Sequence, residues 1–306
     1  MSGRYPDAAD LERYLDNLVC AKNSIQEIPY SRWDVNQYFD PRPFQKGKVY
    51  CKWLGLLEDI KYFDPLFFNI SPTEAELMDP QQRLFLENCW RCIEDAGLNP
   101  SSLSGSRFGV FAGCGASNYG QSMSGQKLNA QGLMGGSTSI LAARISYLLN
   151  LKGPSLAIDT ACSSSLVAIA EACNSLILQT SDFALAGGVF VSAGPAMHVM
   201  TSKAGMLSKD GRCYTFDTRA NGFVPGEGVG VILLKRLSDA VRNQDPIYGV
   251  IRGWGINQDG KTNGITAPSV NSQILLEKEV YERFNINPET ISLVEAHGTG
   301  TKLGDP

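Results

Sequence analysis

Histidine is scarce in this chain: only His198 and His297 occur among 306 residues. There is no histidine cluster and no second Cys-x-x-Cys pair, which excludes a four-ligand zinc centre of the usual kind. No apolar run reaches membrane-spanning length and no signal-peptide pattern opens the chain. Basic runs and aromatic-interleaved basic patches are also missing, and 27 Lys and Arg stand against 31 Asp and Glu for a net charge of −4. That balance argues against nucleic acid, a membrane surface or any partner recognised by bulk charge. The eight cysteines have no framework spacing, so free thiols in a reducing cytoplasm are expected instead of a disulfide scaffold.

What is present fits a globular chain, with 43% hydrophobic residues and 31 glycines, long enough for one large domain or two subdomains. The first seventy residues, with "YSRWDVNQYFDPRPF" and "YFDPLFFNISP", read as loops packed on a larger body. Asp79-Pro80-Gln81-Gln82 reads as an N-cap, a first-turn proline and a capping-box glutamine. Phe85, Cys89, Cys92, Ile93 and Ala96 follow at helical spacing, and Gly97 is a natural stop. Apolar runs at "RFGVFAG", "SLAID", "FALAGGVFVSAG", "GVGVILLKRL", "IYGVIRGWG" and "ISLVEA" predict strands. Amphipathic helices lie between some of them. One has Leu166, Ile169, Ala170, Cys173 and Leu176 on a stripe; another, from about Ser269 to Phe284, carries Ile274, Leu275, Val280 and Phe284. Strands alternating with helices imply an α/β layered fold.

"GWGINQDGKTNG" matches a phosphate-loop pattern through Gly255, Gly260, Lys261 and Thr262. The match needs a helix starting at its end, and Asn263-Gly264 followed by Pro268 postpones any helix to about Ser269, so a phosphate would lose the helix dipole. "PGEGVGVILL" runs into an alternating strand instead of a helix, so it is no dinucleotide fingerprint. Cys89 and Cys92 sit mid-helix on the apolar stripe, which favours core packing over metal or redox chemistry.

Cys162 lies in "IDTACSSSLVAIAEAC", between a strand ending at Asp159 and the helix carrying Leu166. A thiol at a helix N-terminus is favoured as thiolate, the free amides there can hold an oxyanion, and small Ala161, Ser163, Ser164 and Ser165 leave room for a substrate carbonyl. A buried cysteine in a serine-rich cap is the alternative that spacing leaves open. His198 has no polar cluster beside it and reads as structural. His297 lies in "LVEAHGTGTKLGDP", where a strand meets a glycine-rich loop, a common place for ligand sites in α/β sheets; Thr299 and Thr301 alternate with Gly298 and Gly300. Those hydroxyls suit a ligand with amide groups, and a plain turn uses the same residue types.

Together, "DTACSSSLVAI" and "EAHGTGT" resemble the β-ketoacyl synthase domains of modular polyketide synthases, with fatty-acid synthase a close cousin. "SGRYP", "YFDPLFFNISPTEAELMDPQQRLFLE", "RISYLLNLKGPS", "GMLSKDGRCYTFD", "ANGFVPGEGVGVILLKRL" and "NQDGKTNGITAPS" extend the likeness over nearly the whole chain in the family's order. The resemblance implies a thiolase-like layered αβαβα fold with an incomplete second half: residues 1–245 form the first half and residues 246–306 open the second. It implies that Cys162 takes an acyl group from the phosphopantetheine arm of an acyl carrier protein. His297 then assists decarboxylation of a malonyl-type extender, and Thr299 and Thr301 hydrogen-bond the arm. No cofactor is bound directly on this reading. The partners it implies are the carrier protein, a second copy in a homodimer and neighbouring polyketide synthase domains, in the cytoplasm. "NQDGKTNGITAPS" and "GSTSILAARISYLLNLKGPS" lean toward lineages with separately supplied acyltransferases.

Two departures accompany the likeness. The family's usual first strand before "MSGRYP" is absent, and its lysine, second active-site histidine and glycine-rich oxyanion loop lie beyond the final "HGTGTKLGDP". These 306 residues are therefore expected to be an internal piece without condensing activity of their own. A Cys162–His297 hydrolase and a catalytically silent gatekeeper stand as the alternative functions.

Overall fold

The computed structural model of the chain describes residues 1–117, 119 and 129–306. They divide into two compact units: residues 1–38, 53–197 and 225–246 form the first, and residues 39–52, 198–224 and 247–306 the second. In chain order the elements are β1 (Ser2–Arg4), α1 (Leu11–Val19), β2 (Gln26–Glu27), α2 (Val35–Tyr38), β3 (Trp53–Leu54), α3 (Pro72–Leu77) and α4 (Pro80–Asp95). They continue with β4 (Phe108–Gly113), α5 (Ala130–Gly136), α6 (Thr138–Leu148), β5 (Ser155–Ile158), α7 (Ser164–Ile177) and β6 (Phe183–Phe190). Last come α8 (Ala196–Lys203), β7 (Gly228–Lys235), α9 (Leu237–Asn243) and α10 (Val270–Arg283).

The first unit is built on a five-stranded sheet in the order β1-β7-β6-β4-β5. β4 runs parallel to both β5 and β6, whereas β7 is antiparallel to β6 and to β1. Both faces of β4 and β6 are covered, which is why these strands are apolar at successive positions. Phe108, Val110 and Ala112 of β4, Leu185 of β6 and Val229 and Val231 of β7 join Phe85, Cys89, Cys92 and Ile93 of α4 and Leu141 and Ile145 of α6 in one core. Phe111, Ala184 and Ala186 form a second core with Ala168, Ala172 and Leu176 of α7. Each large side chain fully buried here contributes roughly 1.5–3 kcal/mol.

Helix boundaries follow local chemistry. Asp79 caps α4 by accepting from the Gln81 N–H, Pro80 opens the helix, and Gly97 beyond its end takes φ +71°. The expected capping-box role of Gln82 is not realised, because its carboxamide is buried and engaged elsewhere: it donates to the Met134 and Ser137 carbonyls and accepts from Arg144 Nε. The loop reading of the first seventy residues missed α1, whose N-cap Asp10 accepts from the Arg13 N–H.

Leu166 was expected on the buried stripe of α7 and is instead 71% exposed. The stripe that meets the sheet is Ala168, Ala172 and Leu176, because the helix lies close to glycine-bearing strands where a larger side chain at its first turn does not fit. Helix α10 starts where Ser269 predicts, but Leu275 points outward. Its contacts run through Leu276, Val280 and Phe284 to Gly253, Trp254 and Gly255. The strands expected at "IYGVIRGWG" and "ISLVEA" are not formed; among the described residues the second unit contains no strand, and Val250, Leu293 and Val294 stay exposed. Extended backbone becomes a strand only beside a partner that takes its N–H and C=O groups.

Candidate active site

The register of the first unit sets Ile158, Gly113 and Gly188 side by side at the C-terminal ends of β5, β4 and β6. From this row the chain turns through Asp159 and Thr160 into a short 3₁₀ turn, Ala161–Ser163, which leads directly into α7. Ala161 takes φ +57°, a left-handed conformation costing a non-glycine residue about 1–2 kcal/mol. Four hydrogen bonds hold it. Asp159 Oδ1 accepts from the Ala161 N–H at 3.1 Å, and Ser164 Oγ accepts from the Thr160 N–H at 2.9 Å while donating to the Ala161 carbonyl at 2.7 Å; Ser163 Oγ donates to the Thr160 carbonyl at 3.0 Å. The serines therefore brace the turn as well as being small. Cys162, at its apex, is exposed.

The first turn of α7 reaches this position because the strands beneath it carry glycine. A Cβ on Gly113 would lie 2.6 Å from the Ser164 carbonyl carbon and the Ser165 nitrogen, and one on Gly188 would lie 2.8 Å from Ser165 Cβ. No side chain caps α7, so its leading amides have no side-chain acceptor and can serve an oxyanion. Cys162 shares its exposure with Cys20 and Cys213, whereas the other five cysteines are buried. Cys89 and Cys92 are fully buried in the core, and burial pushes both thiols up, well up for Cys89. Burial likewise pushes Cys114 and Cys173 up to about 11, with Asp159 and Asp79 adding to the effect at Cys114. Thiols that stay protonated are poor nucleophiles.

His297, Thr299 and Thr301 lie together in the second unit, on a loop in which Gly298 and Gly300 take φ +53° and +66°. His297 is exposed. The loop is pinned to residues 213–222: Thr215 Oγ1 donates to the Gly298 carbonyl at 2.8 Å, and the Gly222 N–H donates to the Gly300 carbonyl at 3.0 Å. A Cβ on Gly300 would lie 2.8 Å from Cys213 Sγ, so the approach requires glycine. Asp305 organises the rest, accepting from the Phe216 N–H at 2.8 Å, the Gly300 N–H at 3.0 Å and Thr299 Oγ1 at 3.2 Å. With Thr299 donating to that carboxylate, Thr301 donates in the 2.9 Å contact between the two hydroxyls. Both hydroxyl protons are thereby used within the loop, and what the threonines offer a ligand is lone pairs.

Asp305 was not singled out by sequence; its signal was a carboxylate four residues after Thr301. The Phe216 N–H, followed by the Gly300 N–H and the Thr299 hydroxyl, holds its carboxyl below the ordinary 3.8. A lowered folded value means that the tie is fully present above the unfolded value and is lost as pH falls through the lowered one. The amide resonances of Phe216 and Gly300 should accordingly titrate together, with a midpoint below 3.8. Separate midpoints, or a shared one above that value, would count against Asp305 as the organiser.

His198 is fully buried in α8, consistent with a structural place. The phosphate-loop match is a coincidence, since no helix begins at Thr262 and its hydroxyl donates to the Gly264 carbonyl at 2.6 Å. Among the described residues no group of three or more His, Cys, Asp or Glu side chains can hold a metal ion, and no helix is long and apolar enough to cross a membrane.

A thiol presented on a braced strand–helix turn has the geometry of a nucleophile, and a glycine-threonine loop with a histidine has that of a ligand loop. The family described as Beta-ketoacyl synthase, N-terminal domain matches residues 1–240, and Beta-ketoacyl synthase, C-terminal domain matches residues 248–306. The chain belongs to the β-ketoacyl synthase family. The chain is 56% identical to Polyketide synthase PksL of Bacillus subtilis over 307 aligned residues, covering 100% of this chain and 7% of that protein. Polyketide synthase PksM of the same organism is 50% identical, with 100% of this chain and 7% of that protein covered. Among solved structures, the ketosynthase from module 6 of the Bacillus subtilis 168 bacillaene synthase is similar at TM-score 0.89 and 54% identity, covering 99% of this chain and 51% of that one. The chain thus spans about half of that ketosynthase and a small share of the polyketide synthases. Its fold is the thiolase-like α/β fold of ketosynthase domains.

Proposed function

We propose that this chain supplies the nucleophile half and the histidine loop of a ketosynthase that extends a polyketide. The Cys162 thiolate attacks the acyl carbonyl of a thioester; a carbon–sulfur bond forms to Cys162, the bond to the carrier sulfur breaks, and that sulfur leaves as a thiolate that takes up the proton Cys162 gave up. His297 assists loss of carbon dioxide from a malonyl-type extender; the resulting enolate attacks the acyl-cysteine, a carbon–carbon bond forms, the bond to the Cys162 sulfur breaks, and Cys162 leaves as its thiolate while the β-ketoacyl thioester stays on the extender's carrier. Thr299 and Thr301, with their remaining lone pairs, accept from the amide N–H groups of the phosphopantetheine arm. The acyl groups arrive on an acyl carrier protein, and no further cofactor takes part. The first half of the domain ends at Asp245 and the second begins at residue 246, between the two matched ranges. A homodimer and neighbouring polyketide synthase domains complete the assembly, in the cytoplasm. The dimer is supported by β5, an edge strand of the sheet whose Leu156 is exposed, and by the exposed Leu166 of α7.

The observation that carries this reading is the strained, hydrogen-bonded turn that leaves Cys162 exposed at the head of an uncapped helix. Incubation of the full-length protein with an acyl thioester should add one acyl mass to the peptide containing Cys162, and Cys162→Ala should abolish it. Release of free acid from a simple ester, with no accumulating adduct, would favour the hydrolase instead.

A further inference from the structure

Gln81 lies in the "DPQQR" string, second residue of α4, and is 3% exposed. Its backbone N–H is spent on the Asp79 cap, and its carboxamide is spent on two other segments. Gln81 Nε2 donates to the Gly115 carbonyl at 3.2 Å, and Gln81 Oε1 accepts from the Val191 N–H at 3.2 Å. Gly115 follows the end of β4 at Gly113, and Val191 follows the end of β6 at Phe190. One side chain therefore fastens together the two segments that leave the C-terminal end of the sheet, where β5 delivers Cys162.

A short path leads from there to the nucleophile. A Cβ built on Gly115 would lie 3.7 Å from Asp159 Oδ2, so the Gly115 segment is in contact range of that carboxylate. Asp159 Oδ1 in turn holds the Ala161 N–H, the residue in the left-handed conformation immediately before Cys162. The Cys114 N–H also donates to the Ile158 carbonyl at 3.0 Å, binding the same segment to the end of β5.

The geometry points to Gln81 as a positioning residue for Cys162, fixing the Gly115 segment against which Asp159 braces the strained turn. A carboxamide is required because one partner is an acceptor and the other a donor; leucine satisfies neither, and glutamate at neutral pH satisfies only the Val191 N–H. Gln82 supplies the internal control. It is equally buried and makes three side-chain bonds, but its partners Met134, Ser137 and Arg144 lie in α5, just before α6 and within α6, and not in the segments that follow β4 and β6.

This inference rests on the acyl-transfer reading, and its test separates the two. In the full-length protein, Gln81→Leu, Gln81→Glu and Gln82→Leu are compared by thermal midpoint, by the rate and half-saturation of Cys162 acylation, and by Cys162 alkylation with iodoacetamide. Gln81→Leu should lower the maximal acylation rate about tenfold or more with unchanged half-saturation, and should alter the alkylation rate. Gln82→Leu should lower the thermal midpoint alone. Should Gln81→Leu fail to fold, Gln81→Glu, which keeps one of the two bonds, takes its place with the same expected split. Equal effects of the Gln81 and Gln82 substitutions on the rates, or a folded Gln81 variant with wild-type rates, would overturn the inference. Absence of acylation in the unsubstituted protein would defeat the acyl-transfer reading, while the alkylation comparison still decides the role of Gln81.

Discussion

Gly113→Ala should lower the thermal and urea midpoints and, separately, disable Cys162. The added methyl would sit 2.6 Å from two backbone atoms of Ser164 and Ser165, and backbone at the head of a helix cannot yield as a flexible side chain does. Overpacking of this kind costs about 1–3 kcal/mol. The relief available is a shift of the first turn of α7 away from β4, carrying with it Ser164, whose hydroxyl braces both Thr160 and Ala161. Displacing a nucleophile by about an ångström can reduce a rate about 100-fold. Gly153→Ala makes the matched comparison: its methyl would lie 2.5 Å from the Phe108 carbonyl group, at the opposite end of the same strand. Both variants should lose similar stability, and only Gly113→Ala should lose acylation in the protein that remains folded. Parallel loss in both would mean that the glycine row serves the fold and does not position the nucleophile.

The comparison of those two glycines also shows where sequence is informative. Strand–helix alternation located the Cys162 turn, because each element there is stabilised by neighbours in its own apolar pattern and the nucleophile sits at the junction. Asp79-Pro80 and Ser269 marked helix starts correctly, since an N-cap acts within its own first turn. Non-local relations were not legible. Leu166 follows helical apolar spacing and faces outward, because which face of α7 is buried depends on glycines in β4 and β6. The runs at 247–255 and 291–296 have strand composition but no partner strand among the described residues, and composition cannot supply one. Gln81, Gln82 and Asp305 look like ordinary polar residues in sequence; their importance lies in acceptors and donors contributed by segments up to 110 positions away.

Glu227→Gln should be among the most destabilising single substitutions in the first unit. Glu227 immediately precedes β7, its side chain is fully buried, and it pairs with Arg32 while accepting from the Leu57 N–H at 2.8 Å and the Ser192 N–H at 2.9 Å. Arg32 also donates to the Leu57 carbonyl at 2.9 Å and the Ser192 carbonyl at 3.3 Å. Burial pushes the Glu227 carboxyl up, and Arg32 with the two amides pulls it back, so the charges depend on each other. This junction anchors the segments around Arg32 and Leu57 to the residues that follow β6 and precede β7. Glutamine would turn an amide toward one of the two N–H donors and leave the Arg32 charge buried without its counterion. Loss of one member of a buried pair costs about 3–5 kcal/mol, and Arg32→Met should cost a similar amount by orphaning the carboxylate. Combining Glu227→Gln with Arg32→Met removes the unpaired charge, so the double variant should lose clearly less than the sum of the singles, although one of the Leu57 and Ser192 amides then lacks its acceptor. Urea unfolding of the four proteins measures this coupling. Single losses below about 1 kcal/mol, the range of exposed pairs, would show that the N-terminal segment is held by its apolar contacts and not by this junction.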